Sequence, residues 1–503
     1  MVKKRGEPDK KTKASDNTPV IGSEKIPVKK DESKVIDKRY PGQDASEKIL
    51  KIKRIGQSIS PEDPEMKNKA WILTVDMGYG HQRAAYPLEE HAYKRIITTN
   101  NDLFVSEKEK KTWIKMQRGY EFISRLNEVP VLGNIIFGIY DQLQKISPFF
   151  PFRDLSKPSY SVLVLKHQII KKQICKNIIE NIKRTDLPVF ATHFIPALSC
   201  EYIGMSNKIY CLITDTDVNR AWVTDKPKES NIIYLAPCRH VVVRLRQYGV
   251  PEEKIILTGF PLPKETLGGE NLSVAKHDLG NRIPNLDPKG KFREMYKEYL
   301  EKTIGKSNLK KESDHKLTVT YLVGGAGALK NIGIKIAKSL RNKLVKEEII
   351  LNLVAGTNSK INEYYKKELA RLDYKELIGK NINIIYNEKK SDYFRKLSYV
   401  LRATDIIWTK PSEMSFYTAL GLPVIMTPPL GAHEKFNQEW LEHAGSGIVQ
   451  EAPEYVNDWL FYWIEEGRFA EAALDGFTRA PNSGVYNIEK ELFPKKKQFI
   501  NRE

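Results

Sequence analysis

AWILTVDMGYGHQ, residues 70–82, joins an apolar, β-branched run to a glycine loop and then to a helical pattern, RAAYPLEEHAYKRI, that Pro87 can kink or restart. Residues 70–75 have the character of a strand buried on both faces of a parallel sheet. Working outward, the same character recurs at PVFAT (188–192), KIYCLIT (208–214), HVVVR (240–244) and KIILTG (254–259). Helical stretches such as HQIIKKQICKNIIENIK (167–183) lie between several of them. Strands alternating with helices predict a doubly wound parallel sheet. A second series follows a polar insertion. It comprises KLTVTYLVGG (316–325), a helix near 328–346, IILNLVAG (349–356), a helix near 359–372, NINIIYN (381–387), DIIW (405–408) and LPVIM (422–426). The expected class is α/β, with two Rossmann-like doubly wound domains in tandem.

The expected organisation is a disordered basic tail over 1–68, a first domain over 69–260, a linker and polar insertion over 261–316, a second domain over 317–452, and C-terminal helices over 453–503. Up to Lys69 there are 18 basic and 12 acidic residues, so the tail carries about a third of the chain's excess. That excess is 82 − 63 = +19, and it favours an anionic partner such as a nucleotide or a phospholipid surface. No recognised nucleic-acid module accompanies it, so no specific nucleic acid is expected. With 41% hydrophobic residues, wholesale disorder is excluded. Cys175, Cys200, Cys211 and Cys238 form no CxxC pair, so neither a zinc site nor a disulfide framework is suggested. No stretch approaches the roughly 20 apolar residues that span a bilayer, and the basic start has no apolar run behind it. A cytoplasmic protein, able to sit on a membrane's inner face, is expected.

Three segments carry the candidate chemistry. Asp76, Gly78, Gly80 and His81 follow the first strand, where open α/β sheets bind ligands. A histidine beside a helix N-terminus is held neutral and can accept a proton, which makes His81 the candidate base and Asp76 its alternative. The loop Gly324, Gly325, Ala326, Gly327 offers backbone N–H groups to an anion, although it is neither a Walker A loop nor GxGxxG. Lys410, Pro411, Ser412 and Glu413 form a helix-start signature suited to a diphosphate, with Glu413 available to a ribose diol. The next loop brings His433, Glu434 and Asn437 to the hydroxyls of a sugar. Asp215-Thr216-Asp217 invites a metal-binding D-x-D reading, which its place at the end of a first-domain strand argues against.

Together these segments resemble the GT-B glycosyltransferases, in particular the group of monogalactosyldiacylglycerol synthases, processive diacylglycerol glucosyltransferases and the peptidoglycan GlcNAc transferase. The resemblance rests on D-x-G-x-G-H (Asp76, Gly78, Gly80, His81) and on Thr214, Asp215 and Trp222 in TDTDVNRAW. It is completed by the glycine loop at 324–327, KPSEMSFYTALGLP and GAHEKFN, and it covers roughly 70–450 in order. KPSEMSFYTALGLP is two residues shorter than the family pattern, and His433 stands where Gln is usual.

The resemblance implies two domains facing across a cleft, with the C-terminal helices over 453–503 crossing back to the N-terminal domain. It also implies transfer of a hexose, with inversion, from a nucleoside-diphosphate sugar (UDP by family default) to an acceptor hydroxyl, that of a membrane lipid as in the lipid-acceptor relatives. Gly324, Gly325, Gly327, Lys410, Ser412, Glu413, His433, Glu434 and Asn437 would face the donor, and Gly78, Gly80, Asp215 and Trp222 the acceptor. No metal or cofactor is implied, since the nucleotide sugar is a substrate. Residues 113–152, with apolar residues at helical spacing and then VPVLGNIIFGIYDQL and SPFFPF, are the candidate membrane or acceptor region. The alternatives are a nucleotide-sugar epimerase on the same fold and a decayed protein that only binds lipid or anions.

Overall fold

The apolar runs become strands where both faces can be covered, and Trp71–Thr74, Val189–Ala191, Ile209–Leu212, Ile406–Thr409 and Val424–Met426 are buried along their whole length. The computed structural model describes residues 66–115 and 146–494, apart from 325, 326, 328, 430 and 431. Most of the expected tail, and residues 116–145 of the expected acceptor region, therefore lie outside the described residues. The first sheet holds β1 (Trp71–Thr74), β2 (Ile97–Thr98), β3 (Val189–Ala191), β4 (Ile209–Leu212), β5 (Ile232–Ala236) and β6 (Ile255–Leu257). Its order is β2-β1-β3-β4-β5-β6, and every pair is parallel. The second holds β7 (Leu317–Leu322), β8 (Ile349–Gly356), β9 (Ile382–Tyr386), β10 (Ile406–Thr409), β11 (Val424–Met426) and β12 (Gly447–Val449). It runs β12-β11-β10-β7-β8-β9, again all parallel. Two doubly wound domains in succession are the α/β architecture of the GT-B fold.

One strand expectation is overturned. HVVVR belongs to the helix Arg239–Gln247, and the strand it displaces is β5, eight residues earlier. Valine's preference for strands is weak against packing. Val241, Arg244 and Leu245 fall on one side of a helix and are all buried there. Pro87 does restart the chain: the helix Gly80–Ala85 gives way to 3-10 turns over Tyr86–His91. The polar insertion folds as helices, of which Ser273–Leu286 is buried at Leu279, Ile283 and Leu286.

The final helix, Gly484–Leu492, lies against the first domain. Asn487 donates to the Thr258 carbonyl at 2.9 Å, Tyr210 donates to the Glu491 carbonyl at 3.0 Å, and His91 Nε2 meets Glu489 at 2.8 Å. All described residues belong to one unit, Ser60–Glu503, whose main apolar cluster runs from Ile72 to Leu492 through both sheets. No helix among the described residues is long and apolar enough to cross a membrane.

Candidate active site

Each sheet reverses its winding at one place, and ligands of such sheets bind outside the carboxyl ends of the strands at that switch point. In the first sheet it falls between β1 and β3, whose following loops carry Asp76–His81 and Thr192–His193. In the second it falls between β7 and β10, followed by Gly324 and by Lys410–Glu413.

Gly78 turns the chain after β1 with φ of +87°, and a Cβ there would meet open space. The Gly80–Ala85 helix then presents His81. Its Nδ1 lies 2.7 Å from the Thr192 carbonyl, which can only accept, so Nδ1 donates there and, in the neutral imidazole, Nε2 is the nitrogen with the lone pair. Thr214 Oγ1 is 3.3 Å from the same nitrogen. His193 packs edge-on against this ring at 4.7 Å, and burial together with the neighbouring His81 holds it well below the ordinary histidine range. Trp222, buried, lies 6.5 Å from His81 and 5.8 Å from His193. An oriented imidazole beside a neutral one is an arrangement that accepts a proton.

Across the cleft, Lys410 lies over Gly324. A Cβ at Gly324 would be 2.8 Å from Lys410 Cε, so the glycine is what admits the lysine there. Lys410 is ion-paired with Glu434. The Gly324 carbonyl accepts from the Gly327 N–H at 2.8 Å, closing a turn with φ of +75° at Gly327. Ser412 precedes 3-10 turns over Glu413–Leu420, which replace the expected α-helix start. Gly325 and the side chain of His433 lie outside what the structure describes.

Four of the predicted residues are engaged between the lobes. Glu413 is ion-paired with Arg83; burial pushes its carboxyl up, but Arg83 and Lys410 hold it below its ordinary value. Asp76 Oδ1 pairs with Lys390 at 2.6 Å, which disfavours Asp76 as the base. Asn437, buried, accepts from Thr216 N–H at 3.0 Å and Oγ1 at 2.9 Å and donates to Asp215 at 3.2 Å. Asp217 is committed elsewhere: its carboxylate takes Arg244 Nε and Nη2 at 2.8 Å and His240 at 2.9 Å, the arrangement of a buried ion pair rather than of a metal chelate.

Sequence reasoning missed the residues that complete this contact. Tyr79 reaches into the second lobe, where its hydroxyl accepts from the Thr357 N–H at 2.9 Å; a Cβ at Gly356 would come within 2.5 Å of it. Phe260 stacks on Phe416 at 4.8 Å. Of the missed residues, Thr192 and His193 carried a usable signal, since they are polar residues at the end of a predicted strand. Tyr79, Arg83 and Lys390 carried none, because their partners lie about 280–330 residues away.

Residues 300–490 match a family described as Domain of unknown function (DUF6938). The chain is 24% identical over 241 residues to the processive diacylglycerol beta-glucosyltransferase of Bacillus subtilis, spanning 47% of this chain and half the length of that relative. It is 22% identical to the protein of the same name from Bacillus pumilus, over 76% of this chain and 82% of that one. Among solved structures, Acinetobacter baumannii MurG aligns with a TM-score of 0.36 and 12% identity over 66% of this chain and 76% of its own. A UDP-GlcNAc 2-epimerase from Neisseria meningitidis, bound to UDP-GlcNAc, gives 0.38 and 13% over 64% and 80%. At those scores the structural likenesses carry no argument about chemistry.

Proposed function

We propose that this glycosyltransferase-like chain moves a hexose from a nucleoside-diphosphate sugar, UDP-linked by the default of its relatives, to the hydroxyl of a membrane lipid, with inversion. The observation that supports the reading is that the loops after the two switch points meet: Arg83 of the His81 helix pairs with Glu413, a Cβ at Gly80 would stand 3.2 Å from Glu413, and Lys410 lies over Gly324. In this reading Gly324, Gly325 and Gly327 offer backbone to the diphosphate, and Lys410 exchanges Glu434 for a phosphate oxygen, with Ser412 beside it. Glu434 and His433 would serve the sugar's hydroxyls, whereas Asn437, buried and bonded to Thr216 and Asp215, holds the two lobes together instead of facing the donor. The acceptor oxygen attacks the anomeric carbon, the bond from that carbon to the diphosphate oxygen breaks, and the acceptor proton passes to His81 Nε2. The Thr192 carbonyl, already accepting from Nδ1, stabilises the imidazolium that forms. Lys410 and the backbone N–H groups offset the leaving group's charge in place of a metal ion.

A lipid acceptor is supported by the diacylglycerol glucosyltransferase activity for which the relatives are named and by the edge of the 113–152 region. There Phe150 and Phe152 are 69% and 63% exposed beside Arg153, an aromatic and cationic edge of the kind that suits an interface. The test is incubation of the purified chain with UDP-glucose, with and without diacylglycerol liposomes, followed by NMR of the product's anomeric centre. A lipid-linked hexose of inverted configuration is the expected product. Isomerised UDP-sugar formed without acceptor would instead establish the epimerase reading, and failure to bind any nucleotide the decayed one.

A further inference from the structure

Arg83 lies two residues past His81 on the same short helix, and its side chain is 6% exposed. Besides its ion pair with Glu413, it donates to the Tyr393 hydroxyl, and its guanidinium carbon lies 5.0, 5.5 and 5.9 Å from the ring centres of Tyr79, Tyr393 and Phe394. Glu413, Tyr393 and Phe394 all belong to the opposite lobe. The backbone of the His81 helix approaches as closely as it can: a Cβ at Gly80 would stand 3.2 Å from Glu413 Oε2 and 3.4 Å from its Cγ. Glu413 is thus held on one side by a buried cation and pressed on the other by a glycine, with no room for a ribose between it and the helix.

We infer that Arg83 and Glu413 form a strut between the lobes that sets the position of the His81 helix against the second lobe, and that Glu413 is a positioning residue rather than a ligand of the donor's ribose. The second half rests on the donor site proposed above. The strut itself does not.

The physics of a buried pair separates the two roles. Removing one partner leaves an uncompensated charge in a dry contact, whereas replacing both with apolar groups of similar size is often tolerated. If the pair is a strut, Arg83→Met and Glu413→Leu each loosen the lobes and the double variant restores them. If Glu413 holds the ribose diol, the double variant is as defective toward donor as Glu413→Leu alone.

The experiment measures small-angle scattering of the full chain and its three variants, together with calorimetric titration of UDP and of 2′,3′-dideoxy-UDP, which lacks the diol. The single variants are expected to raise the radius of gyration and the double to return it to the parent's. Glu413→Leu is expected to change affinity for both nucleotides by the same factor. A double variant as expanded as the singles overturns the strut. A parent preference for UDP of about tenfold or more that vanishes in Glu413→Leu overturns the positioning role. If the parent binds neither nucleotide, the donor reading fails while the scattering still decides the strut. Should a single variant fail to fold, Arg83→Lys, which keeps the charge but loses the fork, is scored the same way, with a partly expanded particle expected and an unchanged one contrary.

Discussion

At the scale of single residues, the site divides into groups oriented for chemistry and groups engaged with each other. His81 belongs to the first kind, because a backbone carbonyl fixes its tautomer and another histidine, held neutral by burial, walls it in. Replacing it with Gln keeps a donor for the Thr192 carbonyl but removes the proton acceptor. We expect His81→Gln to lower the transfer rate by about 10²–10⁴-fold with donor affinity unchanged, read by initial rates and by UDP calorimetry. Lys410 belongs to the second kind while it holds Glu434, and it joins the first when a diphosphate arrives. Lys410→Ala should weaken UDP binding by about 10–100-fold, the size of a charge-assisted hydrogen bond lost. An equal loss on titrating uridine, which has no phosphate, would show that the lysine acts elsewhere. The residues legible in the sequence were those placed by a strand end and a glycine. Tyr79 sat in plain view between Gly78 and Gly80, but nothing local says that its hydroxyl meets Thr357 in another domain.

At the scale of elements, the strands were legible wherever an apolar run is buried on both faces, because such a run has no other stable place. HVVVR failed because three valines read as a strand only until the surrounding arginines are given a helical face, with Arg244 turned inward onto Asp217. The return of the last helix to the first domain was an expectation of the family resemblance alone; the single close contacts that seat it were not legible in the residues. A Cβ at Gly484 would collide with the Phe260 carbonyl, a backbone atom that cannot swing away. Gly484→Ala should therefore destabilise the fold by about 1–3 kcal/mol, seen as a lowered midpoint in denaturant. The same helix carries a pH dependence. The hydrogen bond that His91 donates to Glu489, with the one it donates to the Asn68 carbonyl, raises it above its ordinary value despite burial. Burial pushes Glu489 up, but His91 and Lys264 hold it below. The raised histidine contributes fully below about pH 6.5 and loses its contribution as pH rises through its folded value. The lowered carboxylate contributes above about pH 4.5 and fades as pH falls through its folded value. Glu90 and Lys264 face the same group. Amide-exchange protection of Gly484–Leu492, corrected for intrinsic rates, should thus peak between those limits and decline toward alkaline pH. In His91→Asn the alkaline decline should disappear.

At the scale of the whole molecule, the two sheets do not behave as beads on a string. Their apolar cluster is continuous, the final helix returns to the first domain, and the cleft is bridged by Arg83–Glu413, Asp76–Lys390, Asn437 with Thr216, and Tyr79 with Thr357. Domains that share a core and clasp each other at several points unfold together, even though chains of this length often unfold in stages. Calorimetry should therefore give a single transition for the described unit. A donor that binds between the lobes acts on that whole transition by mass action. UDP at 100 times its dissociation constant adds about 2.7 kcal/mol, and spread over so large an unfolding entropy this raises the midpoint by only a few degrees. The diagnostic quantity is not the size of the shift but its unity. If UDP moves the entire endotherm, the crevice joins both lobes as one ligand site. If instead the endotherm resolves into two peaks and UDP moves only the later one, the second domain binds nucleotide alone. His81 would then have to be brought to the donor by a closure that nucleotide binding itself does not drive.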